Sequence, residues 1–428
     1  MAIGLMLLGL FALILINVPV AIALAIIGTA GTFASYGLSS MPNVALTMFE
    51  GATNFPLLAI PLFVLAGAIM NASSIARRLI DLASALLGFM KGGLSMVTIG
   101  SSIFFAEISG SAVAGVAALG SVLIPAMRAK GYSREFAAAI SSSSASLAII
   151  LPPSIPMILY AVMAQESVVK MFVAGIFPGL LGALGLAGMC YYLAHKNGYP
   201  TEGRFQLSKV WKAFKEAIWA LLIPVIILGG IFGGFVTATE GAGLAVVVAL
   251  FISAVIYREL NLRTLWHACI EGGVQTAVVM LLVASSALVG VYFTEAQLPQ
   301  KLAASIEDLT TNYYAVLALL NVCFLILGMF LHSAAAIILV VPIVMPLVHT
   351  MGIDPVHFGL IVTLNLAIGQ QTPPVASVLI ASCSIAKADI WRTTKVNLYF
   401  IGVLVALLMV NTYLPQIALL LVHLFYGS

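Results

Sequence analysis

Residues 136–162 read FAAAISSSSASLAIILPPSIPMILYAV, an apolar span with five serines ahead of Pro152-Pro153. The two prolines remove consecutive amide donors, so carbonyls near Ala148 and Ile149 lose their helical partners. Unpaired carbonyls in hydrocarbon are costly and persist where a cavity, water or a cation satisfies them. Ser141 to Ser144 and Ser146 lie one to three turns away and add hydroxyl oxygens. Residues 364–380, LNLAIGQQTPPVASVLI, repeat the device. Here Asn365 takes the register of Ser144, carbonyls are freed near Gly369 and Gln370, and Gln370, Gln371 and Thr372 add polarity.

The rest of the chain is equally apolar. Of 428 residues, 62% are hydrophobic and 8% charged, against roughly 25% charged in a soluble domain. A soluble enzyme is excluded, and the fold class is an all-α polytopic membrane protein. Ten spans are expected at about 3–16, 20–37, 50–70, 136–163, 171–194, 217–236, 240–257, 265–291, 358–386 and 394–421. The first has no basic leader or A-x-A site and reads as a mature span. Two further apolar segments, 92–127 and 313–347, are about 35 residues each and would reach roughly 53 Å as single helices, so each folds back as a hairpin. With the N-terminus outside, 16 of the 18 Lys and Arg residues become cytoplasmic and only Lys170 and Lys301 external. That partition supports both the orientation and the fold-backs, with both termini periplasmic. The net charge of +3 is no nucleic-acid signal. Cys190, Cys269, Cys323 and Cys383 lack paired spacing and read as packing residues.

A gapless offset of 221 residues pairs Glu50 with Glu271, Gly51 with Gly272, Pro125 with Pro346, and Pro152-Pro153 with Pro373-Pro374. It divides the chain into a first repeat (1–194), a cytoplasmic linker helix (195–216) and a second repeat (217–428). Five full spans per repeat is an odd number, so the second copy enters the membrane inverted. Inverted repeats with interrupted helices are the signature of secondary transporters. The first hairpin turns at Ser109-Gly110-Ser111, the second near Gly328-Met329-Phe330-Leu331-His332-Ser333. A polar tip meeting a polar break in each half builds an oxygen-rich shell suited to sodium, while half-helix N-termini suit a carboxylate. Two cation sites around one anion site are expected. Glu107 is a candidate proton carrier or substrate contact, against the plainer reading of an amide-capping carboxylate. His332 is a second candidate at the other tip. Glu50 and Glu271 read as helix-start residues suited to the dipole.

The basic amphipathic segment 74–90 reads as an arm along the cytoplasmic face of the bilayer, with 295–311 as its register partner. No phosphate loop, dinucleotide fingerprint or H-E-x-x-H occurs, and Asp is nearly absent from the spans, so no enzyme activity is expected.

Four stretches together resemble the large membrane subunit of TRAP (tripartite ATP-independent periplasmic) transporters, in the ion transporter superfamily. They are FFAEISGSAVAGVAALGSVLIPAM, KGYSREFAAAISSSSASLAIILPPSIPM, TATEGAGLAV and GQQTPPV. The resemblance covers essentially the whole chain, and the first stretch is most similar to the sialic acid members. It implies a sodium (Na+)-driven importer of organic carboxylates, sialic acid or a C4-dicarboxylate, in a bacterial inner membrane. It also implies a small four-span membrane subunit, a periplasmic substrate-binding protein and an elevator movement. Carried over by motif, sodium positions fall at Ser102, Ser144, Ser146, Ala148, Ile149, Pro152, Gly328, Asn365, Gly369, Gln370 and Thr372. Substrate positions fall at Glu107, Ser109, Gly110, Ser111, His332, Ser333 and Gln371. The halves differ where Ser111 faces His332 and Leu151 faces Thr372, so equal ion affinity does not follow. A self-sufficient sodium/dicarboxylate symporter and an uncoupled channel or scaffold subunit stay open as alternatives.

Overall fold

The computed structural model describes residues 2–16 and 18–427; the side chains of a few residues inside helices, Glu107 and Ser109 among them, lie outside the described residues. The chain opens with α1 (Ala2–Leu15) and α2 (Val20–Tyr36), as the first two apolar runs require. Next comes α3 (Met41–Ala52), which the hydropathy reading missed because this run carries Asn43, Thr47 and Glu50. A 3-10 turn at Phe55–Leu58 leads into α4 (Ala59–Ala72). The expected arm is α5 (Ile75–Leu87).

The first fold-back is α6 (Gly93–Ser109), a turn at Gly110-Ser111, then α7 (Ala112–Gly115) and α8 (Ser121–Ala129), joined by a π-helical turn. The fourth span is α9 (Arg134–Ala145), a 3-10 turn at Ser146–Ile149, and α10 (Ile155–Met163). Ser133 caps α9 by accepting from the Phe136 amide at 3.2 Å, and after Ala145 the helix tightens into the 3-10 turn that precedes the proline pair. Then follow α11 (Val168–Lys196), α12 (Leu207–Phe232), α13 (Ala238–Phe251) and α14 (Leu262–Glu295). Thr237 and Glu240 form a capping box on α13, so the TATEGAG motif is a helix start.

The second half continues with α15 (Leu298–Leu309), the partner arm, and the hairpin α16 (Tyr313–Phe330) and α17 (Ser333–Thr350). The second broken span is α18 (Pro355–Gly369) and α19 (Ser377–Ala386). Last come α20 (Ile390–Tyr413), α21 (Pro415–Ala418) and α22 (Leu420–Tyr426). Pro415 therefore ends the tenth span earlier than expected. The register recurs in the elements: α8 and α17 end at Ala129 and Thr350, and α9 and α18 start at Arg134 and Pro355. The Pro152-Pro153 and Pro373-Pro374 peptides are both cis.

Among the described residues, nine helices are long and apolar enough to cross a membrane. They are not the ten expected spans: α1 and α2, of 14 and 17 residues, and the broken spans α9–α10 and α18–α19 fall short of a full crossing helix, while three hairpin limbs, Ala112–Ala129, α16 and α17, are long enough to be included. The chain is an all-α polytopic membrane protein.

Two bundles share the molecule. One packs α2, α3 and α4 against α14, with α13 on α4; the other groups α9 with α19 and α20, and α18 with α16 and α20. The arm α5 lies against α6 and α12, and α15 against α17. Arg78 of the arm is locked in place: its Nη2 lies 3.0 Å from Glu259 Oε1, and its guanidinium sits 3.9 Å from the centroid of the Tyr257 ring. Burial raises the Glu259 pKa, but hydrogen bonds from Ser74 and Arg78 outweigh it and hold that carboxyl below its usual range.

The linker differs from expectation. Residues 207–216 are the first turns of α12 and run unbroken into the sixth span, with no separate helix. The residues before them form a strap across the mouth of the first hairpin. Tyr199 stacks on Tyr132 with centroids 4.3 Å apart, the Glu202 amide donates to the Gly88 carbonyl at 2.8 Å, and Lys130 pairs with Glu202 at 3.4 Å.

Candidate functional site

Each hairpin tip is tied to the break of its own half by a backbone bond. The Ile155 amide donates to the Gly110 carbonyl at 3.4 Å, and the Val375 amide donates to the Met329 carbonyl at 3.2 Å. Glycine permits both approaches. Gly110 has φ +56°, and a methyl group there would lie 3.0 Å from the Pro153 carbonyl oxygen; Gly328 and Gly369 meet backbone to backbone. The tips and breaks predicted from sequence therefore do come together.

They enclose a cavity of about 1040 Å³. Gly110, Ser111, His332 and Ser333 line it from the tips, and Ile149, Ile155 and Gln370 from the breaks. The helices α7, α10 and α17 begin at or beside these residues, so three helix N-termini border the space and give it a partial positive charge that suits an anion, although the Ile155 amide is taken by the Gly110 carbonyl and the Ala114 amide by Ser111 Oγ. The first bundle and the arm supply the other wall: Asn71 from α4, Arg77 from α5, and Glu271 and Gln275 from α14. Sequence reasoning missed Asn71, Arg77 and Gln275 as cavity residues. It also misplaced two carboxylates: Glu50 lies in the last turn of α3 and Glu271 is the tenth residue of α14, so neither starts a helix.

The two adjacent glutamines lie in different surroundings. Gln370 faces the cavity and its Nε2 has no partner, whereas Gln371 is fully buried behind it. Gln371 Nε2 donates to the Ala367 carbonyl at 3.2 Å, and its Oε1 accepts from Ser143 Oγ at 2.7 Å. Ser143 Oγ also lies 2.8 Å from the Asn397 side-chain amide. Asn397 Nδ2 donates to Gln371 Oε1 at 3.4 Å, which closes the ring, and the single Ser143 hydroxyl proton is shared between the Gln371 and Asn397 oxygens. Ser143→Ala is expected to cost about 1–3 kcal/mol, because it strands buried amide groups on Gln371 and Asn397. Thermal unfolding of the purified protein measures this; an unchanged midpoint would show that the ring contributes nothing.

The freed carbonyls are mostly recaptured. Ser154 Oγ donates to the Ile149 carbonyl at 2.7 Å, the Thr372 amide to the Gly369 carbonyl at 2.9 Å, and the Val378 amide to the Gln370 carbonyl at 3.1 Å. The expectation of open carbonyls at Ile149, Gly369 and Gln370 is therefore corrected: local polar groups reach them once the helix breaks. Beside Ile149, Ala148 is buried in the same turn, one residue farther from Pro152. Three hydroxyls are spent on the preceding turn: Ser144 on the Ile140 carbonyl at 2.7 Å, Ser146 on Ser142 at 3.1 Å and Thr372 on Ile368 at 3.0 Å. Ser102 is buried on α6, away from the cavity lining. Glu107 and Ser109, as side chains, lie outside the described residues.

Other oxygens have no partner. Ser101, Ser141 and Ser142 in the first half and Asn365 Oδ1 in the second are buried and unbonded. Asn365 Nδ2 donates to Asn321 Oδ1 at 2.6 Å and to the Ile361 carbonyl at 2.8 Å, and Asn321 Nδ2 donates to Thr412 Oγ1 at 3.1 Å. Asn321, Asn397 and Thr412 were visible as polar residues inside apolar runs, which are costly in membranes. Attention to the proline breaks passed over them. These orphaned oxygens are neutral and hard, a donor set that fits sodium better than a transition metal.

Comparison with known proteins agrees with this architecture. Residues 7–417 match the family model for the tripartite ATP-independent periplasmic transporter, DctM component. The isethionate TRAP transporter permease protein DctMQ of Oleidesulfovibrio alaskensis is 41% identical over 96% of this chain, which spans 65% of that relative's length. The 2,3-diketo-L-gulonate TRAP transporter large permease protein YiaN of Escherichia coli is 37% identical over 95% of this chain and 96% of its own. The sialic acid TRAP transporter permease protein SiaT of Haemophilus influenzae is 36% identical over 85% of this chain and 59% of its own. Among solved structures, the YdaH transporter of Alcanivorax borkumensis superposes with a TM-score of 0.62 at 15% identity, covering 88% of this chain and 89% of that one, a likeness of fold alone. On a match that runs over nearly its whole length, the chain belongs to the DctM-component family of tripartite ATP-independent periplasmic transporters.

Proposed function

We propose that the chain is the large transmembrane subunit of a sodium-coupled importer of small organic carboxylates in a bacterial inner membrane. A periplasmic binding protein delivers the substrate, a small four-span subunit completes the membrane part, and the two halves work as inverted repeats in an elevator movement. Both termini are periplasmic. The carrying observation is that one cavity joins both hairpin tips, both breaks and the first bundle. A substrate there touches both bodies whose relative motion an elevator needs.

Helix N-termini at the tips support an anionic substrate. The relatives named above carry isethionate, 2,3-diketo-L-gulonate and sialic acid in their names, all small organic anions. Their identities span only 36% to 41%, so similarity does not choose among them. Sodium enters as a co-transported ion: the unbonded Asn365 Oδ1 and the Ser101, Ser141 and Ser142 hydroxyls are the residues that would hold it.

Uptake of labelled sialic acid into proteoliposomes holding this chain and its small subunit tests the reading, with sodium and the binding protein each present or absent. Uptake that requires both is expected. Uptake with sodium alone would replace the tripartite reading by a self-sufficient symporter, and uptake indifferent to the sodium gradient would remove the coupling.

A further inference from the structure

Only two formally charged side chains line the large cavity among the described residues, Arg77 from the arm α5 and Glu271 from α14 of the first bundle. Arg77 and Arg78 are neighbours with opposite fates. Arg78 is held by Glu259, by Ser74 Oγ at 2.9 Å and by the Tyr257 ring. Arg77, one residue earlier on α5, is exposed and makes no ion pair among the described residues. A guanidinium left unpaired in a cavity wall offers a planar, two-pronged match to a carboxylate. Glu271 sits two turns or so above the start of its helix, where it gains nothing from the dipole, and its Oε1 is only 3.5 Å from Gln275 Nε2 on the next turn. A carboxylate beside an amide is a receptor for hydroxyl groups and a repellent for a second carboxylate.

We propose that Arg77 holds the acid group of the substrate and that Glu271 and Gln275 receive its hydroxyls, so that the membrane subunit itself prefers a singly charged, hydroxyl-rich acid to a dianion. The inference rests on the transporter reading above and narrows its substrate class. Among the described residues the lining carries one full positive charge and one full negative charge; its other polar side chains are the amides of Asn71, Gln275 and Gln370, the hydroxyls of four serines and the His332 imidazole. One carboxylate finds a full countercharge there. A second would meet helix amides at best and Glu271 at worst.

The test uses this chain with its small subunit in nanodiscs, without the binding protein, in saturating sodium at fixed ionic strength. Gluconate is the singly charged, hydroxylated probe and succinate the dianion, with calorimetry as the readout. Gluconate is expected to bind at least about tenfold more tightly than succinate. Arg77→Gln should remove most of the gluconate affinity without moving the thermal midpoint, since Arg77 bonds nothing else. Glu271→Gln should narrow the gap by raising succinate affinity. Equal binding of the two acids by the native protein, or gluconate affinity unchanged in Arg77→Gln, overturns the proposal. If neither acid binds while sialic acid uptake still requires sodium and the binding protein, the proposal falls and the transporter reading stands; failure of uptake as well removes both.

Discussion

Gly369→Ala is expected to lower sodium-driven uptake by about tenfold or more while leaving a folded protein. The new methyl carbon would sit 2.5 Å from both the Cα and the carbonyl carbon of Gly328 and 3.0 Å from its oxygen. These are backbone atoms, so no side chain can swing away. The second hairpin and the second break must part, and the adjoining bond from the Val375 amide to the Met329 carbonyl goes with them. Overpacking of this kind costs about 1–3 kcal/mol, which at the functional geometry is a factor of roughly ten to a hundred. Gly328→Ala should act in the same direction but less strongly, since its methyl would meet Gly369 Cα at 3.1 Å. Gly115→Ala is the control: it meets only Ala145 Cβ at 3.7 Å and Phe105 Cδ1 at 3.9 Å, ordinary contacts. Native uptake by Gly369→Ala would mean that the tip and break need not touch.

The same comparison shows where sequence suffices. Composition and hydropathy are enough for the membrane class, and the 221-residue register places α9 opposite α18 because prolines act locally, through amides they lack. The tips were legible for the same reason: Gly110 and Ser111 turn the chain wherever they stand. What escaped depends on long-range geometry. Whether a freed carbonyl stays open is decided by Ser154 Oγ or by the Val378 amide, and nothing in a proline pair says that these will arrive. Gln370 and Gln371 are adjacent, and only the pitch at the end of α18 sends one into the cavity and the other toward Ser143 and Asn397. Arg77 looked like any basic residue on an interfacial arm. Its place in the cavity follows from how α5 packs on α6 and α12, a contact between faces that hydropathy does not name. The helix α3 was missed because its polar residues lowered the apolar signal below that of a span.

Asn365→Leu is expected to raise the sodium concentration for half-maximal uptake by about tenfold or more while changing stability little. Asn365 is fully buried, and its amide nitrogen is satisfied twice over by Asn321 and the Ile361 carbonyl. Its oxygen is not satisfied at all. A buried acceptor left unpaired costs about 1–3 kcal/mol, a standing expense unless something fills the position in the working protein. An acceptor without a proton can be filled by a donor or by a cation, and the neutral oxygens around the breaks favour the cation. Leucine, of similar shape, removes that orphan and so offsets the loss of the bond to Asn321. Stability and sodium response should therefore separate. A structural role alone predicts the reverse pattern, a lowered thermal midpoint with an unshifted sodium curve, and that result would sink the assignment. In the first half the same reasoning moves the expected cation contact from Ser144, whose hydroxyl is given to the Ile140 carbonyl, to Ser141 and Ser142, whose oxygens have no partner. Ser142→Ala should thus shift the sodium curve more than Ser144→Ala, since alanine at 144 removes a proton already spent within its own helix.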